Sequence, residues 1–535
     1  MLNFIKKIIR LKNSRNIHNF IAHNYVYFGD EEKCKNTSND VILFELNNMQ
    51  SPHIAYSYMA SILRKKYKAK LVAYKPNEHE NKWSQVTFKI KKIFNIEEFG
   101  VFRSFGVTDF IEILLTQSQK DKAFNLYENI YNNLNQKCDV ENITINGIWL
   151  GDLIYDTYLR LFNRPTIIIK SNEFKKYLQK EMALFVFWQD FFKKHNVKAI
   201  NVSHCAYNLA IPMRIALSRN IPAYQSNVAF IYRLNKNNCF AYSDFRYFPK
   251  QFSTLPESIK LAGLAEAKAR IDKRFAGAVG VDMEYSSKSA YTNKRYDNLI
   301  KNTSRKKILI ATHCFYDSPH SYGNNIFPDF YEWLDFLGKI TEVSNYDWYI
   351  KTHPDYLPGT KEVIDGIVLK YPKFNLLPAD SSHHQIISEG INFVLTVYGT
   401  IGFEYAALGI PVINCSVNNP HISYNFNLHP RDQQEYHNLL MNLDGIEFDI
   451  DKNQVYEYYF MRHIYNTFNL FFNDYDCTIK SLGGDAGQFS DEVYKKWLSE
   501  ITPSKHKTII TSIEKFILSE DFRMGYKHLN CDFTL

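Results

Sequence analysis

Two short segments combine a cation, an imidazole, a hydroxyl and glycines in the way an anion site requires. Lys351-Thr352-His353-Pro354 ends the run DWYIKT, which reads as a β-strand. Tyr398-Gly399-Thr400-Ile401-Gly402 follows the β-branched run 394–397 and opens a helix over 403–408, closed by Gly409. A strand feeding a Gly-Thr turn at a helix start leaves backbone N–H groups unpaired, offers a hydroxyl and points the positive end of the helix dipole at one spot. A phosphate suits that spot; an ordinary βαβ unit whose glycines only permit a tight turn is the plain alternative. Parallel strands share one crevice at their carboxyl ends, so Lys351, His353 and the Thr400 turn can clamp one diphosphate or phosphodiester. Pro354 would hold His353 extended and fix its side-chain direction.

The elements that must position these groups alternate in β/α order. Strands at 41–46 and 69–74 flank a helix at 54–67; helices follow at 117–134 and 174–195, then a strand at 199–203 ending in His204. A helix at 256–276, with its proline first, leads into a polar segment reaching residue 305, the best domain boundary in the chain. A second domain opens with the strand ILIATH, whose end delivers His313, Cys314, Phe315, Tyr316 and Asp317, with Asn324 in the following loop. Beyond residue 431 the chain reads as mostly helical. We expect an α/β protein with a basic N-terminal helix and polar segment (1–40), two Rossmann-like domains (41–290 and 306–480) and C-terminal helices (481–535).

Candidate acids and bases lie in both domains. Asp152, Asp156 and Arg160 are spaced by four, so a helix would carry them on one face, either as a catalytic carboxylate pair or as an exposed salt-bridge ladder. His204 at a strand end and Asp317 complete the set of candidate bases. Asp449-Ile450-Asp451 has the look of a metal-binding DxD but lies away from any strand end, and reads as a solvated turn. The eight cysteines are scattered without a CxxC or zinc spacing, which suits reduced core thiols in the cytoplasm. No metal or cofactor is expected.

At 535 residues and 62.9 kDa the chain exceeds one hydrophobic core. Its 40 Phe and 37 Tyr point first to a large core and second to sugar-binding surfaces. A net charge of +8 fits anionic ligands or an anionic membrane surface, and is too dilute along the chain to argue for nucleic acid. Residues 2–11 (LNFIKKIIRL) lack the uninterrupted apolar core of a signal peptide; they read as a basic amphipathic helix that packs on its own domain or docks peripherally on the inner face of the cytoplasmic membrane. No run approaches 18 apolar residues.

The order strand, His353-Pro354, Gly399-Thr400, Gly402, Glu404, short helix and Gly409-Ile410-Pro411-Val412 resembles the bacterial capsule and surface-polysaccharide glycosyltransferases of GT-B fold, with two facing Rossmann-like domains. Within these it is most similar to the Kdo-transferase and sialyltransferase-like branch, clearest over 306–432, with a weaker echo at 151–160 and 203–214. The resemblance implies that His353 and Thr400 hold the phosphate of a nucleotide-sugar, often CMP-linked, that Glu404 serves the ribose or the turn, and that the N-terminal domain binds an oligosaccharide or glycolipid acceptor. Two hydroxyl residues often stand in that branch where this chain has Gly399-Thr400, and its catalytic carboxylate has no single match here. The site residues expected on the donor side are therefore Lys351, His353, Pro354, Tyr398, Gly399, Thr400, Gly402, Glu404, His313 and Asn324. Metal-independent glycosyl transfer is the leading expectation; a nucleotide-sugar epimerase, a teichoic-acid-like glycerophosphotransferase and a non-catalytic assembly subunit are the alternatives.

Overall fold

A computed structural model describes residues 13–29, 39–75, 82–283, 288–353 apart from 293, 359–529 apart from 468, and 531, 533 and 535. The amphipathic stretch 2–11 and Pro354 lie outside the described residues.

The first domain is built on strands β1 (Asp40–Glu45), β2 (Lys70–Tyr74) and β3 (Val107–Ile111), a two-residue hairpin β4 (Thr144–Ile145) and β5 (Ile148–Trp149), then β6 (Asn196–Val202), β7 (Ala223–Ser226) and β8 (Ile231–Leu234). Its main sheet runs β3-β2-β1-β6-β7-β8, parallel except for β8, which returns antiparallel on β7. Val41 and Leu43 face one hydrophobic cluster with the helix Asn172–Lys194, while Ile42 and Phe44 face the other with Gln50–Tyr67. That double burial explains the continuous apolar reading of β1. The hairpin turns on Asn146 and Gly147, both at positive φ, the chemistry of a two-residue turn. It aims the chain into the helix Gly151–Phe162.

The second domain contains β9 (Lys307–Ala311), β10 (Asp347–Lys351), β11 (Phe374–Leu376), β12 (Phe393–Thr396) and β13 (Val412–Asn414), all parallel in the order β11-β10-β9-β12-β13. Strand order reverses between β1 and β6 in the first sheet and between β9 and β12 in the second, and such switch points open a crevice at the carboxyl ends.

The helices Glu257–Phe275 and Lys452–Tyr459 join Phe403 and Ala406 in one cluster that links the domains. They close tightly, since a Cβ on Gly263 would sit 2.6 Å from the Phe460 ring. The chain then returns: Phe471, Trp497, Ile513 and Phe516 complete a core begun by Phe20, Ile42 and Tyr58. Two facing Rossmann-like domains with a helical C-terminal region crossing back to the first make this a GT-B fold.

Local expectations differ in two places. β3 and the helix Lys82–Phe94 have no counterpart among the expected elements. The Asp152/Asp156 face is not an exposed ladder, because both carboxylates are buried and only Arg160 is exposed. Asp451 caps the helix Lys452–Tyr459 through Asn453 N–H, so the Asp449–Asp451 triplet is the solvated turn expected of it. The cysteines among the described residues are all free, and no helix among those residues is long and apolar enough to cross a membrane.

Candidate functional site

The carboxyl ends of β9, β10 and β12 open on a cavity of about 290 Å³ at the second domain's switch point. Its far wall is the interdomain connection: Arg274 ends the helix Glu257–Phe275, and Ala290 accepts a hydrogen bond from His383 N at 3.1 Å. Segment 288–291, polar and boundary-like in sequence, thus covers the site.

Lys351 ends β10 almost fully buried, with its ammonium donating to Ala379 O at 2.9 Å. Burial pushes it down to about 8, partly offset by Asp380. His313 follows β9, and its Nε2 accepts from the backbone N–H of Val397 at 3.2 Å and lies 3.1 Å from the Thr396 hydroxyl. Burial, and then His353, lowers it to about 3, so the ring is neutral. With Nε2 occupied as an acceptor the proton sits on Nδ1, a donor on a cavity wall. His383 is buried beside Tyr405, Nδ1 to hydroxyl at 2.6 Å, and burial with Lys351 and His353 nearby holds it well below the usual imidazole range. His353 lines the same cavity from an exposed position.

Glu404 is the one carboxylate lining the cavity among the described residues, and it is already neutralised. Arg274 ion-pairs with it and Tyr291 donates to its Oε2 at 2.9 Å. Lys351, Arg274 and three imidazoles thus line a void whose one lining carboxylate among the described residues is held by Arg274, an environment that favours an anion. Gly399 and Thr400 complete the wall; Thr400 is exposed and makes no side-chain cap to the helix Ile401–Ala407. That helix has only 7 residues, so the side-chain cations rather than its dipole dominate the field.

Other expected donor residues have supporting places. Tyr398 packs its ring 4.7 Å from His313 and donates to Ser318 O. Gly402 faces away from the cavity, where a Cβ would lie 2.4 Å from the His421 ring. Asn324 lines a different groove, between the domains.

The four candidate bases lie outside the cavity lining. Asp152 is paired with the buried Arg214, Oδ2 to Nη2 at 2.5 Å. Asp156 accepts from His320 Nδ1 at 2.6 Å, and His320 Nε2 reaches Glu141 at 3.1 Å. Burial raises Asp156 to about 6 against the pull of His320. Burial also opposes the His320 charge, but Asp156 and Glu141 overcome it and hold the imidazolium well above its usual range. This pair stitches the first domain's helix to the loop after β9. His204 Nδ1 accepts from Ala206 N–H at 3.1 Å, which leaves Nε2 as a donor and takes away the lone pair a base needs. Asp317 is different: it is exposed in the cleft and accepts from Tyr207 at 2.7 Å across the domains. Tyr207 has φ 59° and ψ 176°, a conformation that costs a non-glycine residue on the order of 1–3 kcal/mol and persists where structure over-determines it.

Sequence reasoning missed Glu45, Glu141 and Arg274, and placed His320 in the loop after the strand ILIATH without giving it a role. Glu45 ends β1 at the first domain's switch point, accepts from Ser203 N and Oγ at 2.9 and 2.7 Å, and is raised by burial to about 7 against those bonds. A carboxylate closing the run DVILFE was its one sequence signal. Among the described residues no group of three or more His, Cys, Asp or Glu is arranged to hold a metal ion.

Neither a family model nor a curated protein matches the chain. Similar solved structures include two from Thermosulfurimonas dismutans. The KpsC beta Kdo 2,4 transferase has 11% identity and TM-score 0.30, covering 49% of this chain and 79% of that one. The KpsC beta Kdo 2,7 transferase has 16% identity and TM-score 0.28, covering 56% and 85%. The Neisseria meningitidis UDP-GlcNAc 2-epimerase bound to UDP-GlcNAc has 11% identity and TM-score 0.24, covering 79% and 94%.

Proposed function

We propose that the protein is a glycosyltransferase that binds a nucleotide-sugar at the β9/β10/β12 cavity and transfers the sugar to a saccharide or glycolipid acceptor in the interdomain cleft. The observation that carries it is the gathering of the buried Lys351 and the imidazoles of His313, His353 and His383 around a void whose one lining carboxylate among the described residues, Glu404, is held by Arg274. In this account Lys351, His313 Nδ1–H, His353 and Thr400 take the phosphate. The bond from the anomeric carbon to the phosphate oxygen breaks as the acceptor oxygen attacks, and Lys351 and His313 stabilise the charge on the leaving phosphate. Asp317 takes the acceptor proton, because it is exposed in the cleft and both its hydrogen bonds go to Oδ1, whereas Asp152 and Asp156 are buried in ion pairs and His204 Nδ1 is occupied. Positioning across the cleft supplies the rest.

The test is incubation of the full chain with CMP-, UDP- and GDP-sugars, with and without a bacterial polysaccharide or glycolipid extract. Nucleotide release that depends on acceptor supports transfer. Sugar interconversion without acceptor would establish the epimerase instead, and a product retaining phosphate would establish phosphodiester transfer.

A further inference from the structure

The helix Lys82–Phe94 turns its broader apolar side to solvent. Trp83, Val86, Ile90, Ile93 and Phe94 fall within about 100° of its circumference. Ile93 and Phe94 are 71% and 69% exposed, and Trp83 and Val86 are exposed as well. The opposite side anchors the helix to its domain through Phe88, which is buried with its ring 4.9 Å from Phe99. A contiguous exposed apolar face of this kind marks a docking surface. The cations beside it are largely spent within the domain. Lys91 pairs with Glu97 and Glu98 at 2.5 and 3.4 Å, and Lys92 donates to Phe110 O at 3.1 Å and lies 3.6 Å from Glu112. An anionic membrane needs such cations to be available, so the face suits a protein element better.

The chain itself delivers one. Asn13 is fastened to the turn after this helix: its Nδ2 donates to Asn95 O at 3.2 Å, and its Oδ1 accepts from Glu97 N–H. The residues before Asn13 therefore start at the Phe94 end of the face. Residues 2–11 (LNFIKKIIRL) space Phe4, Ile5, Ile8 and Ile9 on one side of a helix, and Lys6, Lys7 and Arg10 on the other. A helix of that length spans about 15 Å, against about 17 Å from Trp83 to Phe94. Carboxylates stand where this basic segment enters. Asp491 accepts from Ser14 Oγ, Glu492 accepts from Asn16 at 3.1 Å, and Glu97 adjoins Asn13.

We propose that residues 2–11 dock as an amphipathic helix, antiparallel, on the exposed face of the helix Lys82–Phe94, and so complete the first domain over Trp83, Val86, Ile93 and Phe94. Tethering at Asn13 holds the segment at an effective concentration on the order of 1 mM, which a second copy of the chain must exceed to take the face. The basic side of the docked helix turns outward, toward Glu97, Asp491 and Glu492 at its entry.

The test is hydrogen exchange of the full chain read by mass spectrometry. Amides of residues 2–11 should exchange about tenfold or more slower in the wild type than in a chain carrying Ile93→Asp together with Phe94→Asp. Val26→Asp, at an exposed apolar position on the helix Arg15–Phe28, should leave that protection in place. Slow exchange across the buried strand Asp40–Glu45 shows that each variant is folded. Ile8→Asp, which alters the segment and leaves the face intact, should speed exchange in the helix Lys82–Phe94 and so reads the same contact from its other side. Fast exchange of residues 2–11 in the wild type, protection that survives the paired substitution in a folded chain, or an unchanged helix Lys82–Phe94 in Ile8→Asp overturns the proposal. Protection gained only with phosphatidylglycerol vesicles overturns it in favour of a membrane, and protection lost on tenfold dilution overturns it in favour of a second copy.

Discussion

Replacing Lys351 by methionine should stabilise the free protein and abolish its response to nucleotides. Burial moves this lysine from 10.5 to about 8. At about 1.4 kcal/mol per pH unit, holding the cation costs the folded state on the order of 3 kcal/mol. Methionine fills the same volume without charge but leaves Ala379 O without its donor, a loss of about 1–2 kcal/mol. The net gain near neutral pH is therefore about 1–2 kcal/mol. The pH dependence has a definite sign. Below pH 8 both folded and unfolded chains hold the proton and the penalty is constant; between about 8 and 10.5 the unfolded chain holds more protons, so wild-type stability rises with pH relative to the variant. A bound phosphate keeps Lys351 charged, so nucleotide affinity falls as pH climbs past 8. Urea titrations at pH 7 and melting curves from pH 7 to 10, with and without CMP, CDP, UDP and GDP, measure all three effects. If the variant is less stable than the wild type at pH 7 and still responds to a nucleotide, Lys351 is a structural cation and the reasoning fails.

Other outcomes follow from the same geometry. Asp317→Asn should lower kcat by about 10²–10⁴ with nucleotide binding intact; a wild-type kcat would move the base elsewhere, with Glu45 the next carboxylate to substitute. His320→Gln strands Asp156 and Glu141 and should cost about 3–5 kcal/mol in denaturant titration. Because the folded His320 titrates above its unfolded value, its contribution is complete below about pH 6.5 and is lost as pH rises through the folded value; a gap from wild type that widens with alkaline pH would contradict the pairing. Gly402→Ala should destabilise by about 1–3 kcal/mol through contact with His421, read as a lower urea midpoint.

Much of the second domain was legible because its signals are local. Apolar runs ending in Lys351 and His313 are parallel strands, and parallel strands deliver their last residues to one edge. The Gly399-Thr400 turn carries the expected contour, although the seven-residue helix behind it gives little dipole. What was illegible depends on contacts far apart in sequence. Asp156 and His320 are separated by 164 residues, and nothing in either neighbourhood marks the partnership. The spacing of Asp152 and Asp156 showed a common helix face, but an exposed ladder and a buried pair look alike until Arg214 and His320 arrive. Segment 288–291 reads as polar linker, yet Tyr291 is buried against Glu404 and walls the cavity. The last helices gave no hint that Trp497 and Phe516 would complete the first domain's core, since amphipathic periodicity names a face and not its partner.

The central claim is that the β9/β10/β12 cavity is a nucleotide phosphate site. Titration calorimetry of CMP, CDP, UDP and GDP into the full chain at pH 7, repeated with His313→Ala, His353→Ala and Thr400→Ala, tests it most directly. At least one nucleotide should bind, with each substitution weakening it about tenfold or more. No binding by the wild type, or unchanged affinity in all three variants, would contradict it.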